Sequence, residues 1–557
     1  MGKDRNTEYV FVPEAPEFNV EPEYEPKHDS EVDGDGPNSV RSEIKQFQRF
    51  KKMLGIEAGL GSKVRDENPL FRLDENTLIG VVALLLAVIL LSTYLVNIYD
   101  APPDENFDFQ IEQEPDVRLL RDIQQGSASS TPHALTSIGS TIYFASDDGV
   151  HGTELWMSNG LNSGTQMVAD LVAGVEGSAP DNLIAVGETL FFSAENDQNG
   201  RELWKFETDV EISQTNPSMV DDIALDGSSI SKTSECMTRL NGILFFCAND
   251  GETGVELWTS DGTSSGTQRI KDINPGEPGG FVGGLHPSGS SVYFSADDGS
   301  NGVELWVTDG TEFGTQMVSD IRVGNQSSNP THITALNGKV YFGADDGSNG
   351  EELWVSDGTS GGTKMLYDIC TGCSSHPSNL FPVGNILYFK SKTTPLGYEL
   401  WVTDGTASGT ELVKDINTGV YDGNPNSFAI MNDKLYFTAN DGSNGVELWV
   451  TSGSSSNTLM VADVHSGSGS SSLSQLTVIG AKVYFTANDG VNGNELWVSD
   501  GSSIGTHSVT DLSVGASSAN IMHLTSAGNA VYFSAYTATH GVELFTNFEI
   551  GSSPSVV

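Results

Sequence analysis

The chain has 557 residues, 37% of them hydrophobic, with 62 Gly and a formal net charge of −48. Residues 1–76 hold 11 Lys/Arg and 17 Asp/Glu, leaving 16 basic against 58 acidic residues beyond them. So acidic a surface repels nucleic acid and anionic lipid and attracts cations, which excludes nucleic-acid binding; the Gly-rich mixture fits short strands and tight turns better than long helices.

In chain order, residues 1–76 read as a mostly disordered tail: the first 40 are rich in Glu, Pro and Asp and too poor in apolar groups to offset the entropy of ordering. Within 41–55, Ile44, Phe47, Phe50 and Leu54 share one helical face among basic residues, the pattern of a short amphipathic helix. Residues 77–99 contain "LIGVVALLLAVILLSTYLV" (Leu78–Val96), without a charged residue and long enough to cross the ~30 Å hydrocarbon layer. Arg41, Lys45, Arg49, Lys51, Lys52, Lys63, Arg65 and Arg72 precede it, whereas no basic residue follows before Arg118. The positive-inside rule then reads residues 77–99 as an uncleaved signal anchor. The N-terminus would be cytoplasmic and the C-terminal mass extracellular, or periplasmic where an outer membrane exists. Residues 100–116 form an acidic, Pro-containing linker.

From residue 117 to 550 the chain repeats. Glu-Leu-Trp begins at Glu154, Glu202, Glu256, Glu304, Glu352, Glu399, Glu447 and Glu495, with Glu543-Leu544-Phe545 as a ninth copy. All intervals are 47 or 48 residues except the 54 between Glu202 and Glu256. Each unit carries four strand signals. In the fifth, "HITAL" and "KVYFGAD" flank Asn337-Gly338, the turn dipeptide that both requires and tolerates positive φ. Runs such as "VYF" and "ELWV" are apolar at consecutive positions, as in strands covered on both faces. Four such strands per ~48 residues describe a β-propeller blade.

The ends predict closure. "LLRDI" (Leu119–Ile123) matches a fourth strand, and the repeats stop after the third strand of the ninth unit. A ring lets the opening strand complete the last blade and removes an exposed edge. The fold class expected is all-β, one propeller of about nine four-stranded blades. Nine exceeds the usual 4–8 blades, so two smaller propellers are the alternative.

Ala296, Asp298, Gly302 and Trp306 stand at spacings similar to the tryptophan-docking motif of quinoprotein-type propellers, where an indole packs on the neighbouring blade. That resemblance assigns a structural docking role to Trp156, Trp204, Trp258, Trp306, Trp354, Trp401, Trp449, Trp497 and Phe545; sugar stacking is the alternative. The whole unit resembles the ELWxxDGT repeat family of secreted and surface proteins. The match is fullest at "ELWVTDGTEFGT" (Glu304–Thr315), "ELWVSDGTSGGT" (Glu352–Thr363) and "ELWVTDGTASGT" (Glu399–Thr410). Units one, two, seven and nine depart after the triplet, which puts their hairpins in question.

Propeller connectivity brings the second-to-third loop, the start of strand three and the end of strand four to one rim. The acidic residues there are Asp147, Asp148, Glu154, Asp297, Asp298, Glu304, Asp320, Asp345, Asp346, Glu352, Asp368, Asp441, Glu447, Asp489 and Glu495. Two uses are open: turn closure and capping of backbone amides, or oxygen ligands for Ca²⁺. Units six ("KSKTTPLG") and nine ("AYTATHG") lack the acidic loop. Cys236 and Cys247 face each other across the Asn241-Gly242 hairpin, and Cys370 and Cys373 form a CxxC in a blade-to-blade loop. Two disulfides, Cys236–Cys247 and Cys370–Cys373, are expected, consistent with the oxidising side of a membrane. No Gly-x-Ser-x-Gly, His-Glu-x-x-His or phosphate loop occurs, and the ten His follow no one position common to the repeats. The sequence therefore favours a binding or adhesion module for an extracellular protein or glycan. A polysaccharide-active hydrolase or lyase with an asymmetric site, and an envelope assembly scaffold, are the alternatives.

Overall fold

A computed structural model of the chain describes residues 116–208, 216–225, 227–231, 236–276, 279–280 and 282–547. The tail, the amphipathic segment, the apolar span and all of the linker except Asp116 lie outside the described residues. Among the described residues no helix is long and apolar enough to cross a membrane.

The strands form nine four-stranded antiparallel sheets. Blades 1 to 8 span residues 133–169, 181–221, 237–269, 283–319, 331–367, 378–414, 426–462 and 474–508. Blade 9 takes three strands from 522–546 and its fourth from Arg118–Arg121, which pairs antiparallel with Gly541–Thr546. The first strand of each blade adjoins that of the next, and blade 9 returns to blade 1. The described residues form one ring of nine blades, not two smaller propellers.

Alternation explains why the ring must close. In blade 5, Val340, Phe342 and Trp354 join Leu305, Val307 and Val318 of blade 4 in one core, while Tyr341, Leu353 and Val355 join Leu387, Phe389 and Trp401 of blade 6 in another. Successive strand residues point to opposite faces, so each sheet shares its two faces with different neighbours. Each of the nine cores lies between adjacent blades, and one joins Leu120, Tyr532 and Leu544 of blade 9 to Ile142, Phe144 and Trp156 of blade 1. Every Trp packs on the preceding blade. Six are at most 9% exposed, as is Phe545; Trp258 and Trp497 are partly buried. Trp204 and Trp258 Nε1 donate to the Ala194 and Ala248 carbonyls (3.1 Å each), ten residues upstream in the docking spacing. Basic side chains of the preceding blade approach Trp156, Trp306 and Trp449: Arg121, Lys271 and Lys414 lie 5.6–5.9 Å from the ring centroids.

The Asp-Gly-Thr turns between strands three and four add a second contact between blades. Gly358 has φ +86°, and a Cβ there would meet the Tyr293 hydroxyl of the preceding blade at 2.5 Å. Asp357 Oδ1 accepts from the Thr359 N–H (3.0 Å) and hydroxyl (2.7 Å). The questioned hairpins of blades 1 and 7 lack that Asp–Thr pair, having Asn159 and Ser452 in place of the Asp, but keep the hydroxyl bond across the hairpin base, Ser158–Thr165 and Thr451–Thr458 at 2.7 Å like Ser356–Thr363 in blade 5. In blade 2 the connection includes residues 209–215, outside the described residues.

The first strand of each blade lines the axis and carries a bulge near its start in eight blades. Its second residue is left-handed in all eight, from Ala134 (φ 53°) and Asn182 (55°) to Gln475 (58°) and His523 (59°). Both disulfides form, with Cα separations of 5.5 Å for Cys236–Cys247 and 5.2 Å for Cys370–Cys373. Arg118 pairs with Thr546, so the chain enters on the rim of the Asp-Gly-Thr turns. The acidic loops occupy the opposite rim.

Trp354→Ala is expected to destabilise the ring by ~3–5 kcal/mol, the usual cost of deleting a large buried aromatic side chain. Phe313, 99% exposed in the equivalent hairpin of blade 4, should tolerate Ala within ~0.5 kcal/mol. Denaturant unfolding of the two variants checks the contrast.

Candidate functional site

The acidic rim is built from three segments per blade, and the carboxylates of each do different work. In the second-to-third loop of blade 4, Asp297 Oδ1 accepts from the Gly299 N–H (2.8 Å). Asp298 Oδ1 accepts from the N–H groups of Ser300 (2.9 Å) and Asn301 (2.8 Å), and its Oδ2 from the Asn301 side chain (2.8 Å). Asp345 and Asp346 repeat this in blade 5, as do Asp441 and Asp489 with their preceding Asn in blades 7 and 8. In blade 1, Asp147 accepts from Gly149, and Asp148 from Val150 and His151. Partial burial opposes ionisation of Asp298, but the N–H bonds from Asn301 and Ser300 outweigh it and hold the group below the ordinary carboxylate range.

The triplet Glu is a buried clamp. Glu304 is fully buried. Its Oε2 accepts from the Ile321 N–H (2.9 Å) and the Ser328 hydroxyl (2.6 Å), and its Oε1 from the Ser328 N–H (3.0 Å). It thus ties both ends of the loop that leads into blade 5. Glu154, Glu352, Glu447 and Glu495 hold the corresponding loop amides in their blades. Glu543 holds Ile123 N (3.1 Å) and the Ser130 hydroxyl (2.6 Å), so the clamp also seals the ring. Burial pushes these carboxyls up against the pull of the loop amides, to about 7 for Glu202, Glu256, Glu399, Glu495 and Glu543.

The Asp at the end of strand four caps the same loop. Oδ2 of Asp320, Asp415, Asp463 and Asp511 accepts from the Gly four residues on at 3.2–3.3 Å. Oδ1 of Asp320, Asp368 and their counterparts in five other blades is buried without a hydrogen-bond partner. One buried unpartnered Asp oxygen in each of these seven blades is far from the six to eight that calcium takes. Among the described residues no group of three or more His, Cys, Asp or Glu is arranged to hold a metal ion. The calcium reading therefore gains no support from the geometry.

The structure also brings together residues that repeat reasoning passes over, all at the start of strand three. In blade 2, Arg201 is 2% exposed and bonds Ser193 Oγ (3.1 Å), the Ala179 carbonyl (2.8 Å) and Glu195 (3.0 Å). In blade 5, Glu351 Oε2 lies 2.6 Å from His376 Nδ1, and its Oε1 accepts from the Thr331 hydroxyl (3.3 Å). In blade 6 the position is Tyr398, beside Lys390 and Lys392. The only signal in the sequence is that these blades depart from Val, Thr or Asn there.

No family model matches the chain, and no curated protein matches it. Among solved structures it is similar to a puromycin hydrolase, at 14% identity over 74% of this chain and 60% of that one, with TM-score 0.34. It is also similar to a Mycobacterium tuberculosis puromycin-hydrolyzing peptidase (9% identity, 76% and 60% covered, TM-score 0.37) and to the tricorn protease (12%, 73% and 38%, TM-score 0.25). The chain spans 60% of the length of the first two. Likeness at this level bears on neither activity nor substrate.

The clamp predicts a pH response. Between about pH 4.5 and about 7 the unfolded Glu ionises while the buried one keeps its proton, so the unfolded state binds fewer protons and stability falls as pH rises. General charge repulsion acts in the same direction, so a variant isolates the clamp. Glu399→Gln should cost ~1–3 kcal/mol by turning an amide NH₂ toward loop donors, and should reduce the slope of Tm against pH across that window.

Proposed function

We propose that this chain is a membrane-tethered, extracellular binding or adhesion propeller that presents its acidic rim to a protein or glycan ligand. The observation that carries the reading is the division of labour around the ring. The repeated Glu, Trp and Asp-Gly-Thr residues are consumed in holding blades together, and no repeated residue is left as a nucleophile or paired acid and base. What varies on the acidic rim are single side chains at the start of strand three, Arg201, Glu351 and Tyr398, where the other blades carry Val, Thr or Asn. A polysaccharide-active hydrolase or lyase is a second reading, favoured by one contact, the Glu351–His376 pair at 2.6 Å.

The test is to present the purified full chain, in detergent, to a glycan array and a panel of polysaccharide substrates. Saturable binding without turnover is the expected outcome. Turnover abolished by Glu351→Gln would replace the binding reading with the hydrolytic one. Chelation by EDTA is expected to leave the melting midpoint unchanged; a fall restored by Ca²⁺ would return the rim carboxylates to a metal-binding role.

A further inference from the structure

Blade 6 inverts the charge of the rim. The second strand ends in Asp147, Asp297 and Asp345 in blades 1, 4 and 5, and in Asn440 and Asn488 in blades 7 and 8; in blade 6 it ends in Lys392. Two residues earlier, a position filled by small side chains such as Ser295, Gly343 and Thr438 becomes Lys390, opposite the start of the first strand. Residues two apart on a strand leave the same face, and Tyr398 is the cross-strand partner of Lys392. The Lys390 and Lys392 ammonium groups lie 5.3 and 5.1 Å from the Tyr398 ring centroid, and all three residues are half-buried.

Neither ammonium has a carboxylate within ion-pair distance among the described residues, in a chain of net charge −48. Asp422, in the adjoining loop, accepts instead from the Tyr398 N–H (2.9 Å). Glu351 and Lys390 both act electrostatically on His332, so a carboxylate shares the neighbourhood without pairing with either ammonium, and an anion between the two ammonium groups would relieve their mutual repulsion. The surrounding acidic rim repels a densely charged polyanion. The ligand this setting suits carries one isolated carboxylate next to an apolar ring face, on an otherwise uncharged body.

We propose that Lys390, Lys392 and Tyr398 form a single binding site for a sugar acid, its carboxylate between the two ammonium groups and its C–H face on the tyrosine ring. This names a ligand class for the rim and rests on the reading of the propeller as a binding module.

The experiment is isothermal titration of the full chain with three probes: glucuronate, glucose, and N-acetylglycine as a stand-in for a peptide carboxy terminus. Glucuronate should bind at one per chain and at least tenfold more tightly than glucose. Lys390→Gln with Lys392→Gln should abolish that binding, and Tyr398→Leu should weaken it severalfold. Lys364→Gln, which removes an exposed charge from the fourth strand of blade 5, should leave it intact. Unchanged melting midpoints establish that the variants are folded; should the double variant not fold, Tyr398→Leu and the glucose comparison carry the test. Equal affinity for glucose, or binding unaffected by the double variant, overturns the proposal. Tighter binding of N-acetylglycine overturns it in favour of a peptide terminus. No glucuronate binding by a chain that still binds on a glycan array overturns the site alone, whereas no binding in either assay overturns the binding reading with it.

Discussion

No sheet in this molecule can bury its own surface. Each blade is apolar on both faces, and each core is assembled from two neighbours, so a blade without partners exposes Phe, Tyr and Trp to water at ~25 cal/mol per Å². Stacking solves this for every blade except the two at the ends. Only a ring removes the ends, and here the ring closes where Leu120 of the opening strand and Tyr532 of the last unit meet Trp156. Nine units joined this way make the closing contact an equal of the other eight.

The second demand is polar. Loops between blades run over the rim with backbone N–H groups that nothing in the sheets can satisfy, and buried donors must find acceptors. The triplet Glu supplies them from a site sealed against water, holding the loop at both ends. Ring closure uses the same device. Thr131 N–H donates to the Val542 carbonyl (3.2 Å) just as Asn329 N–H does to Val303 (3.2 Å), although one pair joins the two ends of the propeller and the other lies within a single unit. Because backbone holds backbone there, the side chains on the rim are free to differ, as they do at Arg201, Glu351 and Tyr398. Function on such a scaffold is expected in the exceptions.

Much of this was legible in the sequence. The 48-residue period, the Asn-Gly hairpins and the missing fourth strand gave blades, register and closure, and counting outward from Asn241-Gly242 gave the Cys236–Cys247 pair. The role of the Glu was legible as one of two uses, amide capping or metal ligation, and burial with the geometry of Ile321 and Ser328 points to the first. The bulged first strand was hidden, because Ala134 and Gln475 carry no mark of left-handed backbone. Blade 6 showed in the sequence only as a lost acidic loop. That Lys390, Lys392 and Tyr398 converge follows from strand pairing, which the repeat pattern gives only once the strands are aligned in space.

The claim on which all this depends is that the opening strand and the Glu543 clamp seal the circle. Native-state hydrogen exchange reads it directly, by comparing the amides of Ile123 and Ser130, held by Glu543, with those of Ile321 and Ser328, held by Glu304. A closed ring predicts that both pairs exchange at the same slow rate, through global unfolding. Rapid exchange at Ile123 and Ser130 while Ile321 and Ser328 stay protected would mean an open ring, and would contradict the account.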